Sequence, residues 1–168
     1  KIAVADRSKG DLNRAIAFYI INKCSFSGLS EASSFSKQAS DSNFSMRGIE
    51  KLPEYSKIIR NWKITNVSYE FLLGGENCFV YLDPPYEIGS NLYGKKGGMQ
   101  KYFHHTNFSK ACSEAKHHMV VSYNSSNLNK RRFYDWKAAE YDHTYTMRST
   151  ASYTMAQRQR KELVLTNF

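Results

Sequence analysis

The sequence predicts an α/β fold in which a mostly parallel sheet is followed by a C-terminal antiparallel hairpin. Two short apolar runs, 78–82 and 118–123, each end at a polar residue, as buried parallel strands do. A helical segment lies between them, which gives the strand–helix–strand order of α/β proteins. Two segments of alternating character, 141–148 and 161–166, then predict the hairpin.

The first part of the chain is predicted to be helical, with one long loop. Apolar residues fall on one face between Asp11 and Lys23, and Asp11 is a residue type that caps helices. A second helix is predicted from Leu52 to Trp62, with Pro53 allowed in its first turn. Between the two helices, residues 25–43 are rich in serine and lack periodicity, which predicts an exposed loop.

The remaining elements are predicted from shorter patterns. A short alternating strand is expected at 64–69, before a turn at the glycine pair 74–75. Residues 87–102 contain four glycines and three lysines, which predicts a mobile basic loop. Two further helices are expected, at 107–116 and at 128–136.

Composition excludes several classes of protein. The chain of 168 residues has a net charge of +9 and is 41% hydrophobic, which favours a folded domain with a polyanionic partner. Its three cysteines are far apart, and no Cys or His cluster has the spacing of metal ligands, so no metal site is expected. No apolar run approaches the roughly 20 residues that a membrane span needs, so no membrane association is expected.

The run 78–82 leads directly into the tetrapeptide Asp83-Pro84-Pro85-Tyr86. In open α/β sheets, ligands bind beyond the carboxyl ends of the strands. There the Asp83 carboxylate and the Pro84 carbonyl would accept hydrogen bonds from an amino group such as adenine N6, which favours attack by its nitrogen. The prolines stiffen the loop, and Tyr86 offers a flat face for a base. An ordinary turn after a strand is the alternative interpretation, since these residue types are common in turns.

The tetrapeptide and four further segments together resemble the Dam-type, D12-class adenine-N6 DNA methyltransferases of bacteria and phages. In the family's order, the segments are FYIINKCSFSGL (18–29), YFHHTNF (102–108), VVSYN (120–124) and RKELVL (160–165). The resemblance implies a partial S-adenosylmethionine-dependent methyltransferase (Rossmann-like) sheet with an inserted recognition region. It implies a helical and loop target-recognition region over 1–62 and the C-terminal part of the catalytic domain over 63–168.

The resemblance also implies a reaction: methyl transfer from S-adenosylmethionine to adenine N6 in double-stranded DNA, with the base flipped out of the duplex. Asp83, Pro84, Pro85 and Tyr86 would be the catalytic residues, and Asp83 would also lie near the methionine end of the cofactor. The family implies the cytoplasm of a bacterium or a phage-infected cell. Protection of phage DNA, partnership with a restriction enzyme and regulation all remain open as roles.

Five residues are predicted to contact DNA. By family position, Lys23, Ser25 and Arg47 lie in the recognition region, where they would meet phosphates or base edges. Lys95 and Lys96 lie in the glycine-rich loop after the tetrapeptide, where they would contact phosphate. A solvated surface is the alternative interpretation for both lysines.

The sequence departs from the family in several respects, one of which is a recognition region that is short and rich in serine. Ser27 stands where many relatives have Asn, and no GxG segment precedes Asp83, although the family uses an FxGxG-type segment to hold its cofactor. We therefore expect this chain to be a C-terminal fragment or one half of a split protein, with the missing N-terminal part as a separate segment or chain. A catalytically inactive DNA-binding remnant and an RNA or protein-amide N-methyltransferase are the alternative functions.

Overall fold

The structure, a computed structural model, describes residues 8, 10–25, 34–87, 101–144 and 159–168. The described residues divide into two compact units, one up to Thr65 and the other from Asn66 onward. The first unit is helical and the second contains the sheet. The predicted regions 1–62 and 63–168, and the role assigned to each, remain a prediction.

Helices make up the described part of the first unit: α1 (Gly10–Cys24), α2 (Lys37–Asn43), α3 (Met46–Glu50) and α4 (Leu52–Ile59). The predicted loop 25–43 is wrong at α2, because the Ser36 side chain caps this helix by accepting from the Ala39 amide at 3.2 Å. Asp11 lies in the first turn of α1 rather than at its cap, and its carboxylate accepts from Arg14 at 3.1 Å. Residues 26–33 lie outside the described part of the chain.

The second unit alternates helices and strands: α5 (Tyr69–Leu72), β1 (Glu76–Leu82), α6 (His105–Glu114), β2 (Lys116–Asn124), α7 (Asn127–Arg132), β3 (Lys137–Thr144) and β4 (Gln159–Thr166). The strand order is β1-β2-β4-β3, in which β1 and β2 are parallel and β4 is antiparallel to both of its neighbours. The α/β fold and the C-terminal hairpin are therefore confirmed. The expectation of a mostly parallel sheet is wrong for the described strands, since one pair is parallel and two are antiparallel.

The core of the second unit lies on one face of the sheet. Buried side chains of β2 and β4 pack there against buried side chains of α6 and of the residues after α7. The strands contribute Met119, Val121, Tyr123, Leu163 and Leu165, and the other segments contribute Phe108, Cys112, Phe133 and Trp136. Val80 and Leu82 of β1 pack against this core, whereas Phe79 and Tyr81 alternate to the other face and are 68% and 62% exposed. The prediction of a buried parallel strand is therefore confirmed for the parallel pairing with β2 and wrong for the burial.

Two predicted elements differ from the structure because of long-range packing. Within the described residues, 62–68 form neither helix nor strand, so the strand expected at 64–69 is wrong. Instead α5 begins at Tyr69, whose ring lies 5.1 Å from that of Phe108. The strand expected at 141–148 begins earlier, at Lys137, because β3 pairs with β4 from Lys137 opposite Thr166 onward; residues 145–148 lie outside the described residues.

The predicted helices are confirmed with shifted ends. The helix expected at 107–116 spans 105–114, because Ala115 takes an extended backbone that leads into β2. The helix expected at 128–136 stops at Arg132 and is followed by turns up to Trp136. The basic loop expected at 87–102 falls mostly on residues 88–100, which lie outside the described residues.

The described residues contain neither a cluster of metal-ligand type nor a helix of membrane-spanning type. No group of His, Cys, Asp and Glu there has the arrangement needed to hold a metal ion. Among the same residues, no helix has both the length and the apolar character needed to cross a membrane. Cys24, Cys78 and Cys112 are all free thiols.

Candidate active site at the end of the first strand

Asp83 follows the last residue of β1 and lies beside β2. Leu82 pairs with Val121 in the parallel register, so the next residue along β2, Ser122, is close to Asp83. The Ser122 hydroxyl donates to Oδ1 of Asp83 at 3.0 Å and itself accepts from the Tyr81 hydroxyl at 3.0 Å. The Asp83 side chain is exposed. Its carboxylate is therefore oriented by the sheet while remaining open to a ligand.

The two prolines restrict the loop that starts at Asp83. Pro84 is buried and Pro85 is half-buried. Each proline ring fixes its own backbone angle φ and removes an N–H donor. The Asp83 carboxylate and the Pro84 carbonyl are thus two acceptors on a segment of limited freedom.

Tyr86 is held at both its hydroxyl and its ring. Its hydroxyl donates to Oε2 of Glu162 at 2.7 Å. Glu162 lies on β4, opposite Asn124 at the end of β2. The ring centroid of Tyr86 is 6.3 Å from that of Tyr123, with an angle of 31° between the planes. The half-buried Tyr86 ring is therefore attached to the same end of the sheet as Asp83.

An ion pair ties the next residue, Glu87, to α7. Both terminal nitrogens of Arg132 donate to the Glu87 carboxylate, at 2.5 and 3.3 Å. This hydrogen bonding holds the pKa of Glu87 below its ordinary value, against the opposing effect of burial. Arg132 also donates to the side chain of Asn129 at 2.9 Å, and Asn129 in turn donates to the Asn124 carbonyl at 3.0 Å. The loop is thus fixed after Tyr86 as well as before it.

A buried pair, His105 and Tyr123, lies behind the tyrosine of the loop. The His105 ring and the Tyr123 hydroxyl share a hydrogen bond. Burial lowers the pKa of His105 and raises the pKa of Tyr123. Both groups are therefore uncharged at neutral pH, and Phe103 and Phe108 pack against them. This cluster supports the Tyr86 ring from the core side.

Of the five residues predicted to contact DNA, three lie in the first unit and two lie outside the described residues. Lys23 lies in the last turn of α1, where its ammonium is 5.8 Å from the ring centroid of a tyrosine in the same helix. Ser25 is buried, and its hydroxyl donates to a backbone carbonyl of α1. Arg47 is exposed on α3. These three residues belong to the first unit, and Lys95 and Lys96 lie outside the described residues.

Four side chains around the tetrapeptide were not predicted as site residues: Ser122, Glu162, Glu87 and Arg132. Ser122 interrupts the apolar run of β2 with a polar group, which is a signal that the sequence does contain, whereas Glu162 follows three polar residues and gives no such signal. Their partners are 39 and 76 residues away, and a single sequence contains no record of those pairings.

Comparison with known proteins adds one match. The family model described as D12 class N6 adenine-specific DNA methyltransferase matches residues 3–154 of this chain. The matched range includes Asp83 to Tyr86 and Ser122, and it ends before β4. No curated protein gives a match to the chain.

Proposed function

Because the chain belongs to the D12 class N6 adenine-specific DNA methyltransferase family, we propose that Asp83 to Tyr86 form the centre that methylates adenine N6 of double-stranded DNA, with S-adenosylmethionine as methyl donor. One observation carries the proposal. An exposed carboxylate is fixed by Ser122 at the carboxyl end of β1, three residues before a tyrosine whose hydroxyl is bound to the same sheet.

The chemistry needs two acceptors at the amino group of adenine. The N6 lone pair is delocalised into the ring, and it becomes available as the nitrogen turns tetrahedral. Asp83 and the Pro84 carbonyl would accept hydrogen bonds from the two N6 hydrogens and favour that change. Acceptors that are already in place stabilise the developing charge without reorganisation in the transition state.

Tyr86 would bind the adenine after it leaves the helix. The N6 atom of a paired base is out of reach of a loop at a sheet edge, so the base is flipped into the site. Stacking of a base on an aromatic ring contributes about 1–3 kcal/mol. The half-buried Tyr86 ring lies against the Tyr123 ring, and this contact restricts the motion of Tyr86 in a way that favours such stacking.

The charge of Asp83 also suits the cofactor. S-adenosylmethionine supplies an electrophilic methyl group on a positively charged sulfur. Among the described residues, Ser122 occupies one oxygen of the Asp83 carboxylate, and the other oxygen has no hydrogen-bond partner there. The remaining oxygen of the Asp83 carboxylate would bind a neighbouring cationic group, such as the methionine end of the cofactor.

DNA phosphates would be neutralised by the basic side chains predicted from the sequence. The net charge of +9 supports binding to DNA through release of its counterions. Such binding weakens as the salt concentration rises, because counterion release then gains less free energy. Lys23, Ser25 and Arg47 would meet phosphates or base edges, and Lys95 and Lys96 would contact phosphate. These contacts determine position on the duplex and leave the target sequence open.

The test is transfer of a labelled methyl group from S-adenosylmethionine to unmethylated duplex DNA. No GxG segment precedes Asp83 in these 168 residues, so the assay is run on the 168 residues and on a form that includes any upstream coding sequence. We expect label at adenine N6 and a loss of at least about 100-fold with Asp83→Asn, which removes the charge at nearly constant shape.

Asp135→Asn is the matched control, because Asp135 is an exposed aspartate of the same unit. Its activity should equal that of the wild type. Label at another atom, or full activity of Asp83→Asn, would refute the proposed function. DNA binding without transfer by either form would favour the non-catalytic remnant.

A further inference from the structure

The Tyr86–Glu162 hydrogen bond joins the tetrapeptide to a strand far along the chain. The hydroxyl of Tyr86 donates to Oε2 of Glu162 at 2.7 Å, over a separation of 76 residues. A hydrogen bond to a charged carboxylate is roughly twice as strong as one between neutral groups. Glu162 lies in β4, beyond residues 3–154 that match the family model. Glu162 also lies in the segment 160–165 that resembles the family, and its contact with Tyr86 is an observation of the tertiary structure.

Other side-chain contacts hold the loop on both sides of Tyr86. Ser122 fixes the loop before Tyr86 by donating to Asp83 at 3.0 Å. Arg132 fixes it after Tyr86 by donating twice to Glu87. With both ends attached, the contact at the tip of the Tyr86 side chain acts mainly on the ring.

Two contacts seen among the described residues restrict the orientation of the Tyr86 ring. A tyrosine side chain has two torsions between its backbone and its ring. Glu162 fixes the hydroxyl, and the Tyr123 ring, 6.3 Å away, limits the tilt. Glu162 is itself part of a paired strand, in register with Asn124 of β2 and Tyr141 of β3. The backbone that carries the acceptor is therefore held by a paired strand on each side.

We propose that Glu162 is a positioning residue, which holds the Tyr86 ring in the orientation needed to stack on the flipped adenine. The inference rests on the proposed function of Asp83 to Tyr86. A site that is set before the substrate arrives avoids the entropy cost of ordering the ring during the reaction. Loss of the bond should reduce turnover more than binding of DNA, since phosphate contacts lie elsewhere.

The experiment is a double-mutant cycle on methyl transfer, with kcat and KM measured for unmethylated plasmid DNA. Glu162→Leu and Tyr86→Phe should each lower kcat about tenfold, the effect of one charge-assisted hydrogen bond. The double variant should be no slower than either single variant, because both changes remove the same bond. Glu162→Gln should stay within about threefold of wild type, since its amide oxygen still accepts. KM should change little throughout.

Glu140→Leu serves as the control, because Glu140 is a glutamate of the neighbouring strand β3 that pairs with Lys130 at 2.9 Å. It should leave kcat unchanged. A second variant, Glu162→Asp, keeps the charge and withdraws the carboxylate by one methylene. It should also lower kcat about tenfold, and it guards against Glu162→Leu failing to fold.

Separate outcomes identify which idea fails. If Glu162→Leu lowers kcat by the same factor in the Tyr86→Phe background, or if Glu162→Asp matches wild type, Glu162 does not act through the Tyr86 hydroxyl. If Asp83→Asn retains activity in the same series, the proposed function itself is wrong. Full loss with Asp83→Asn and coupling between Tyr86 and Glu162 would support both.

Discussion

The ion pair between Glu87 and Arg132 should contribute unequally to stability when its two partners are removed in turn. Arg132 is only 13% exposed, whereas Glu87 is 38% exposed. Glu87→Ala leaves a nearly buried guanidinium with Asn129 as its remaining side-chain partner among the described residues. Arg132→Leu leaves a carboxylate that water can reach. Unpaired buried charge is the more costly of the two results.

The magnitude follows from this intermediate burial. Exposed pairs contribute about 0–1 kcal/mol, and breaking a fully buried pair costs about 3–5 kcal/mol. Allowing for solvent at Glu87, we expect Glu87→Ala to lower the free energy of unfolding by about 2 kcal/mol, and Arg132→Leu by about 1 kcal/mol. Urea unfolding followed by circular dichroism measures both.

The effect should depend on pH with a definite sign. Arg132 lowers the pKa of Glu87 in the folded state below the ordinary value of 4.5. The folded state therefore binds the Glu87 proton less readily than the unfolded state does, and the stabilisation is present above pH 4.5. As pH falls from there through the lowered pKa, the difference between wild type and Glu87→Ala should disappear.

Glu114→Ala is the control, because Glu114 forms a longer contact, 3.9 Å, with Lys110 at an exposed position. Its removal should cost at most about 0.5 kcal/mol. The reasoning would be refuted if Glu87→Ala cost no more than this control, or if Arg132→Leu were the more destabilising change. A difference that stays constant far below pH 4.5 would also contradict it.

Three further predictions concern other contacts of the second unit. Ser122→Ala removes the donor to Asp83 and should lower the rate of methyl transfer about tenfold, with little change in the urea midpoint. Asn167→Ala removes two hydrogen bonds of 2.8 Å between the end of the chain and β2, and should cost about 1–2 kcal/mol in urea unfolding. Phe108→Ala opens a cavity at a side chain that is 2% exposed and should cost about 3–5 kcal/mol; a cost below about 1 kcal/mol would show that the core collapses around it.

Local patterns predicted much of the second unit. The runs 78–82 and 118–123 are within β1 and β2, and the segment 161–166 is within β4. The strand positions are correct because contiguous apolar or alternating residues are typical of strands, although the burial predicted for 78–82 is wrong. The predictions that are wrong concern segments whose secondary structure depends on contacts with residues far away in the sequence. The segment 64–69 alternates like a strand, but the structure pairs it with no described strand and starts a helix at Tyr69.

The candidate site divides in the same way. Asp83 to Tyr86 are contiguous, so the sequence alone contains the acceptors, the stiff prolines and the ring, together with the order of segments that predicts the family. Partner choice is a property of the fold: Ser122 meets Asp83 through the parallel register, and Glu162 meets Tyr86 because β4 pairs with β2. A register shift of one residue would turn either side chain to the other face of the sheet. The tetrapeptide is thus determined by the sequence, whereas its orientation is decided by strand pairing.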